Sequence, residues 1–418
     1  MNAEVRPLGV TCNLACTYCY EHPVRDAGNF ARDYDLDAIK RAVEAEGADS
    51  FSLFGGEALL MPLSDLKELW RWGYERFGRN GIQTNGALIT DKHIELFKRY
   101  NVNVGISIDG PDELNDVRWA GSLEKTREAT RRTMQAIDKL LEAGLKPGLI
   151  VTLHRGNASP ERLPRLKDWF RELDQKGIQS ARLHILEVDH PLVRARWALS
   201  DEENLSAFIE LAKLERELKT LRFDVFRDIL AMLKGEDGRA TCIWQGCDAW
   251  TTHAVRGIEA HGERSNCSRT NKDGVDWFKA DQVGFERYLA LYQTPQEDGG
   301  CQGCRFWLAC KGNCPATAID GDWRNRSEHC RVWFGLMEYF EAKLLDVGIT
   351  PISQDPKRQD IERYFLARWV AGERPTIQQA RQALRGGRAP VVGGQCHPGG
   401  HGDQITHGDH YDTRGAGQ

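Results

Sequence analysis

The stretch CNLACTYCY, residues 12–20, decides how the rest of the chain is read. It packs three cysteines, Cys12, Cys16 and Cys19, into one short loop. A closed tetrahedral zinc site or iron–sulfur cubane takes four thiolates. On spacing alone, the three are ligands of a [4Fe–4S] cluster with one open iron, ligands of a zinc site completed elsewhere, or buried core cysteines.

Working outward, the first part of the chain alternates short β-rich runs with amphipathic runs. Residues 5–11, 50–55, 81–85, 102–109, 145–153 and 181–188 read as buried strands, and 36–45, 63–77, 91–99, 123–143 and 160–175 as helices, the last opening at Ser159-Pro160. Repeated βα units imply a parallel sheet with right-handed crossovers. Six of them fit a partial (β/α)6 barrel of the TIM type, with the active site at the C-terminal ends of the strands. The unusual residues gather at those ends: Cys12, Gly55-Gly56-Glu57, Gln83-Thr84-Asn85-Gly86 and Asp109-Gly110.

This reading divides the chain into a barrel over 1–195, a helical connector over 196–240, a cysteine-rich segment over 241–335, helices over 336–385 and a Gly/His-rich tail over 386–418 that is expected to be disordered. The connector carries a capping box, Ser200-Asp201-Glu202-Glu203. The cysteine-rich segment has weak periodicity and is expected to depend on metal for its fold.

Composition narrows the function classes. Of 418 residues, 41% are apolar and 28% charged, as in globular proteins. A net charge of −5 gives no reason to expect nucleic acid or an anionic membrane as partner. With no apolar run of spanning length and no signal peptide, a cytoplasmic location is expected. Twelve cysteines in that compartment point to metal or redox chemistry, not to disulfides.

Cys-x3-Cys-x2-Cys, with Tyr18 before the last cysteine, resembles the signature of the radical S-adenosylmethionine (SAM) superfamily. The resemblance implies that SAM occupies the open iron, that reductive cleavage yields a 5′-deoxyadenosyl radical, and that this radical abstracts a hydrogen atom from substrate. Gly55-Gly56-Glu57 resembles the family's GGE motif, which binds the methionine amino group. By the same resemblance Ser107 contacts the ribose side, Arg118 the carboxylate and Leu186 the adenine, with Tyr18 among the cofactor contacts. Gln83, Thr84 and Asn85 resemble a stretch that faces cofactor and substrate in a subgroup of these enzymes.

The downstream cysteines run Cys247-x14-Gly262-x4-Cys267, then Cys301-x2-Cys304-x5-Cys310-x3-Cys314, then Cys330. They resemble the SPASM extension of peptide- and protein-modifying radical SAM enzymes. That resemblance implies two auxiliary [4Fe–4S] clusters, three in all. Cys247, Cys267 and Cys314 with Cys242 would hold the first, and Cys301, Cys304, Cys310 and Cys330 the second. Cys396 reads as an incidental thiol.

The layout is similar to anaerobic sulfatase-maturing enzymes and ribosomal-peptide maturases. In the sulfatase group an aspartate beside the third auxiliary cysteine serves as base; here Ser268 follows Cys267. A serine is a poor base at neutral pH. A crosslinking or otherwise oxidising peptide maturase is therefore expected, with Asp109 as candidate base and an electron donor such as flavodoxin or ferredoxin. Only eleven residues precede Cys12, so no leader-binding domain is expected there. The repeated His-Gly-Asp at His401–Asp403 and His407–Asp409 could bind a divalent metal or engage the active-site mouth. The alternatives are an enzyme acting on a small metabolite and a non-catalytic electron carrier.

Overall fold

The computed structural model describes residues 2–28, 31, 33–188, 190–239, 244, 255–270 and 284–385. Cys242, Cys247, Cys396 and the 386–418 tail lie outside the described residues. Among the described residues, nine strands form one sheet: β1 Asn2–Val5, β2 Ser50–Leu53, β3 Asn80–Thr84, β4 Val102–Ser107, β5 Gly148–Leu153, β6 Ser180–Ile185, β7 Arg222–Phe223, β8 Gly257–Ile258 and β9 Arg264–Ser265. Their spatial order is β7-β6-β5-β4-β3-β2-β1-β8-β9. Every pairing is parallel except β8 with β9.

The six expected strands are β1 to β6, with one clear shift. β1 ends at Val5 and does not run over 5–11. Pro7 has no N–H to give a ladder, and the chain beyond it turns, with Gly9 N–H donating to Arg6 O at 3.1 Å and Thr11 N–H to Leu8 O at 3.0 Å. The helix expected to start at Ser159-Pro160 starts at Leu163. Residues 159–162 form a lead-in turn, in which Ser159 O accepts from the N–H of Arg162 and of Leu163.

Alternation along the strands sorts the side chains. On β4, Val102, Val104 and Ile106 are buried against helices, and on β6 so are Ala181, Leu183 and Ile185. They meet Trp70 of Leu63–Phe77, Leu140 of Leu123–Glu142 and Trp169 of Leu163–Lys176 in one core. Helix starts follow local chemistry: Asp35 accepts from the N–H groups of Asp37 and Ala38, Ser122 accepts from Lys125 N–H, and Ser200 with Glu203 closes the expected capping box.

The later segments build onto this core. β8 extends the sheet beside β1, through residues that sequence reading placed in the cysteine-rich segment. Phe208 of Asp201–Glu215 packs on Trp333 of Cys330–Asp346, with ring centroids 5.7 Å apart. A second apolar cluster joins Tyr288, Leu291 and Trp307 to Ile361, Phe365 and Trp369 of Arg358–Val370. The cysteine-rich segment thus shares a small core with the C-terminal helices, more apolar support than its weak periodicity suggested. Among the described residues, no helix is long and apolar enough to cross a membrane.

Candidate functional site

The C-terminal ends of the strands open onto a cavity of about 370 Å³. Cys12, Cys16 and Cys19 form one wall. Their loop is clamped to the segment after β4, with Ala15 N–H donating to Trp119 O at 2.7 Å and Thr17 N–H to Val117 O at 2.8 Å. Burial pushes the thiol of Cys12 up to about 11 and that of Cys19 up to about 12. Arg118 works the other way on both Cys12 and Cys16. Thiolates here need a cationic partner, and a metal cluster is one.

Gly55 and Gly56 supply the close approach that the motif suggested, but toward the chain itself. Gly56 N–H donates to Gly9 O at 2.8 Å and Glu57 N–H to Thr11 O at 2.9 Å, so the motif lies against the backbone that leads into Cys12. A Cβ on Gly55 would fall 2.4 Å from Gly9 O, and its φ of +106° suits only glycine. Both glycines line the cavity. Glu57 does not: it is 1% exposed, and its carboxylate accepts from Leu59 N–H (3.1 Å), Thr84 O–H (2.7 Å) and Asn85 N–H (2.8 Å). It ties the GGE turn to the Gln83-Thr84-Asn85 turn. Asn85 in turn donates to Asn13 Oδ1 at 2.8 Å, inside the cysteine loop.

The Ser107-x-Asp109-Gly110 end of β4 carries a polar network. Ser107 lines the cavity and accepts from Gln83 Nε2 at 2.8 Å. Asp109 is fully buried: Oδ1 accepts from Thr152 N–H at 2.9 Å and Oδ2 from the Tyr18 hydroxyl at 2.5 Å. Arg118 Nη1 donates to Tyr18 Oη at 2.7 Å and stands 3.9 Å from Asp109 Oδ2. His154 accepts from Gly156 N–H on Nδ1, which leaves Nε2 to face Asp109 Oδ2 at 3.7 Å.

Burial by itself would raise the Asp109 carboxyl, yet His154, Arg118 and Tyr18 outweigh it and hold the group below its ordinary range. Asp109 sits behind Tyr18, does not line the cavity, and is held in its charged form. Leu186 is buried and does not line the cavity either.

The same cavity is also lined by Cys267, Ser268, Arg269 and Cys314, and by Arg182, His184 and Glu187. Arg269 is ion-paired with Glu187, and Arg182 with Asp224 at 2.5 Å. Burial, together with the charges of Arg269 and Arg182, pushes the His184 imidazole well below its ordinary range, so it is neutral. Among the described residues neither ring nitrogen of His184 has a hydrogen-bond partner. Sequence reading did not single out His184 or Arg182. The available signal was the alternation of the strand, with Ser180, Arg182 and His184 polar and Ala181, Leu183 and Ile185 apolar.

A second, smaller cavity is lined by Cys301, Cys304, Cys310 and Cys330, with Phe306, Trp307, Phe334 and Met337 around them. Burial pushes all four thiols up, Cys301 to about 12. Four soft donors in an apolar pocket suit an iron–sulfur cluster, and three on a polar-ended cavity suit one with an open iron. Cys314, only a few residues beyond Cys310, faces the large cavity with Cys267 and not the four-thiol pocket. Asn313 and Trp333 line both cavities and form the wall between them.

Residues 7–166 match the family described as Radical SAM superfamily. A serine-type anaerobic sulfatase-maturating enzyme of Bacteroides thetaiotaomicron is 27% identical over 353 residues, 74% of this chain and 81% of the relative. The solved structure of native anSMEcpe with bound AdoMet and Cp18Cys peptide aligns with a TM-score of 0.63 at 17% identity, over 83% of this chain and 98% of that one. SuiB of Streptococcus suis bound to S-adenosylmethionine aligns with a TM-score of 0.52 at 16% identity, over 79% of this chain and 74% of that one. At such identities the structural likeness speaks to the fold alone.

Proposed function

We propose that this chain, a radical SAM enzyme by its residues 7–166, is a maturase that oxidises or crosslinks a residue of a peptide or protein. The observation that carries the reading is that one cavity is lined by both the N-terminal cysteines Cys12, Cys16 and Cys19 and the downstream cysteines Cys267 and Cys314. A [4Fe–4S] cluster and SAM bound there would supply one-electron chemistry able to abstract a hydrogen atom from an unactivated C–H bond. Cys12, Cys16 and Cys19 would hold that cluster. Arg118 would take the SAM carboxylate, Gln83 and Ser107 would meet its sugar side, and the glycine backbone at 55–56 would bound its methionine end.

The remaining residues would complete two auxiliary clusters, with Cys301, Cys304, Cys310 and Cys330 around one and Cys267 and Cys314 at the other, as in a SPASM domain. Cys242 and Cys247 would finish the latter set. Oxidation of a side chain also releases a proton. Asp109 is buried behind Tyr18, Ser268 is a weak base, and burial with the charges of Arg269 and Arg182 opposes protonation of His184, so none of the three is assigned as the base.

The sulfatase-maturating relative and the peptide-bound anSMEcpe structure support a peptide substrate.

The test uses anaerobically reconstituted enzyme with SAM and reductant, measuring 5′-deoxyadenosine release on addition of host-extract fractions, each with and without protease treatment. Stimulation that protease abolishes is expected. Stimulation that survives protease would replace this reading with a small-metabolite substrate.

A further inference from the structure

We propose that Tyr18 and Asp109 are positioning residues that hold the Arg118 guanidinium at the cysteine wall for the SAM carboxylate. The inference rests on the reading that SAM fills this cavity.

Tyr18 lies between Cys16 and Cys19, so its ring is fixed by the same loop that carries the thiols. Its hydroxyl makes two bonds of opposite sense. It donates to Asp109 Oδ2 at 2.5 Å and accepts from Arg118 Nη1 at 2.7 Å. Asp109 itself is anchored from three directions. Its N–H donates to Asn115 Oδ1 at 2.8 Å, its carbonyl accepts from Asn157 Nδ2 at 2.8 Å, and its Oδ1 accepts from Thr152 N–H at 2.9 Å.

The order of support therefore runs from the barrel wall to Asp109, to Tyr18, to Arg118. An arginine loses much rotamer freedom on binding an anion, and a guanidinium already held loses less. Arg118 spends one nitrogen on Tyr18, and its side chain is 12% exposed where it lines the cavity.

The test uses the full-length, anaerobically reconstituted enzyme, with SAM as the only ligand. SAM affinity is read by equilibrium dialysis. The change in the cluster's EPR signal on addition of SAM and the iron content are measured in every variant. Tyr18→Phe keeps the ring and both charges but cuts the relay; SAM affinity should fall about tenfold, with the full EPR change still reached at saturating SAM.

Asp109→Asn offers one acceptor where two donors, Thr152 N–H and the Tyr18 hydroxyl, need one each. It should weaken SAM binding as well. Because Tyr18 acts through Arg118, the Tyr18→Phe/Arg118→Gln double variant should bind no more weakly than Arg118→Gln. Wild-type affinity in Tyr18→Phe or in Asp109→Asn, additive losses in the double variant, or iron loss in Tyr18→Phe would each overturn the proposal. A wild-type enzyme that binds no SAM would instead remove the functional reading beneath it.

Discussion

Gly56→Ala is the sharpest perturbation that the site allows. A Cβ at this position would stand 2.1 Å from Thr11 O, 2.5 Å from Thr11 C and 2.7 Å from Val10 C. All three are backbone atoms, so no rotamer change relieves the clash. The segment before Cys12 must shift by roughly an ångström to restore ordinary contact. Overpacking of this kind costs about 1–3 kcal/mol. The shift also strains Gly56 N–H to Gly9 O and Glu57 N–H to Thr11 O, which contribute about 1 kcal/mol each.

The expected loss is therefore about 2–5 kcal/mol in denaturant unfolding, together with reduced iron at the first cluster and weaker SAM binding. Gly177→Ala is the control: its φ is +92°, but a Cβ there meets nothing within 4 Å. Its cost should stay at about 1–2 kcal/mol, with iron content unchanged. A Gly56→Ala enzyme with a wild-type unfolding midpoint and full iron would refute the claim that this backbone contact builds the cysteine loop.

Three further predictions follow from other parts of the fold. Burial alone would raise the Asp174 carboxyl, but the N–H groups of Leu221, Lys219 and Thr220 and the Thr220 hydroxyl hold it at about 2. A depressed folded pKa gives stability that is present above the unfolded value near 3.8 and is lost as pH falls toward about 2. Asp174→Asn should lower stability by about 1–2 kcal/mol at pH 7, and the difference from wild type should shrink below pH 4 in urea titrations. Replacing Cys12, Cys16 and Cys19 together with alanine should leave about eight of twelve irons bound and abolish SAM cleavage, whereas replacing Cys301, Cys304, Cys310 and Cys330 should remove about four irons and lower the melting temperature. Because its surroundings oppose protonation of His184, His184→Gln should leave the ratio of product to 5′-deoxyadenosine with the protease-sensitive fraction within about twofold of wild type, read by mass spectrometry.

Much of the site was legible before the fold was known. The cysteine triplet, the two glycines, Ser107 and Arg118 converge on one cavity because each sits at a strand's C-terminal end, and a parallel βα succession brings those ends together. The surroundings of Asp109 and Leu186 were not legible, because a sequence places a residue at a strand end but does not say what its side chain meets. Asp109 lies behind Tyr18, where Thr152 N–H and Arg118 satisfy a buried charge. Leu186 is buried.

Local chemistry in the sequence determined the βα alternation, the cysteine spacing and the helix starts at Asp35, Ser122 and Ser200, because each depends on neighbours within a few positions. The grouping of the downstream thiols was implied by the sequence resemblance, and only the tertiary structure gives it a physical form: Cys314 lines one cavity with Cys267, while Cys310 lines another with Cys301, Cys304 and Cys330, although both leave the same short turn. Tertiary structure also decided that Glu57 ties two turns together and that Tyr18, Asp109 and Arg118 form one network. These are meetings between segments 27 to 100 residues apart. Chain distance carries no information about them; packing of β1 to β6 around one cavity does.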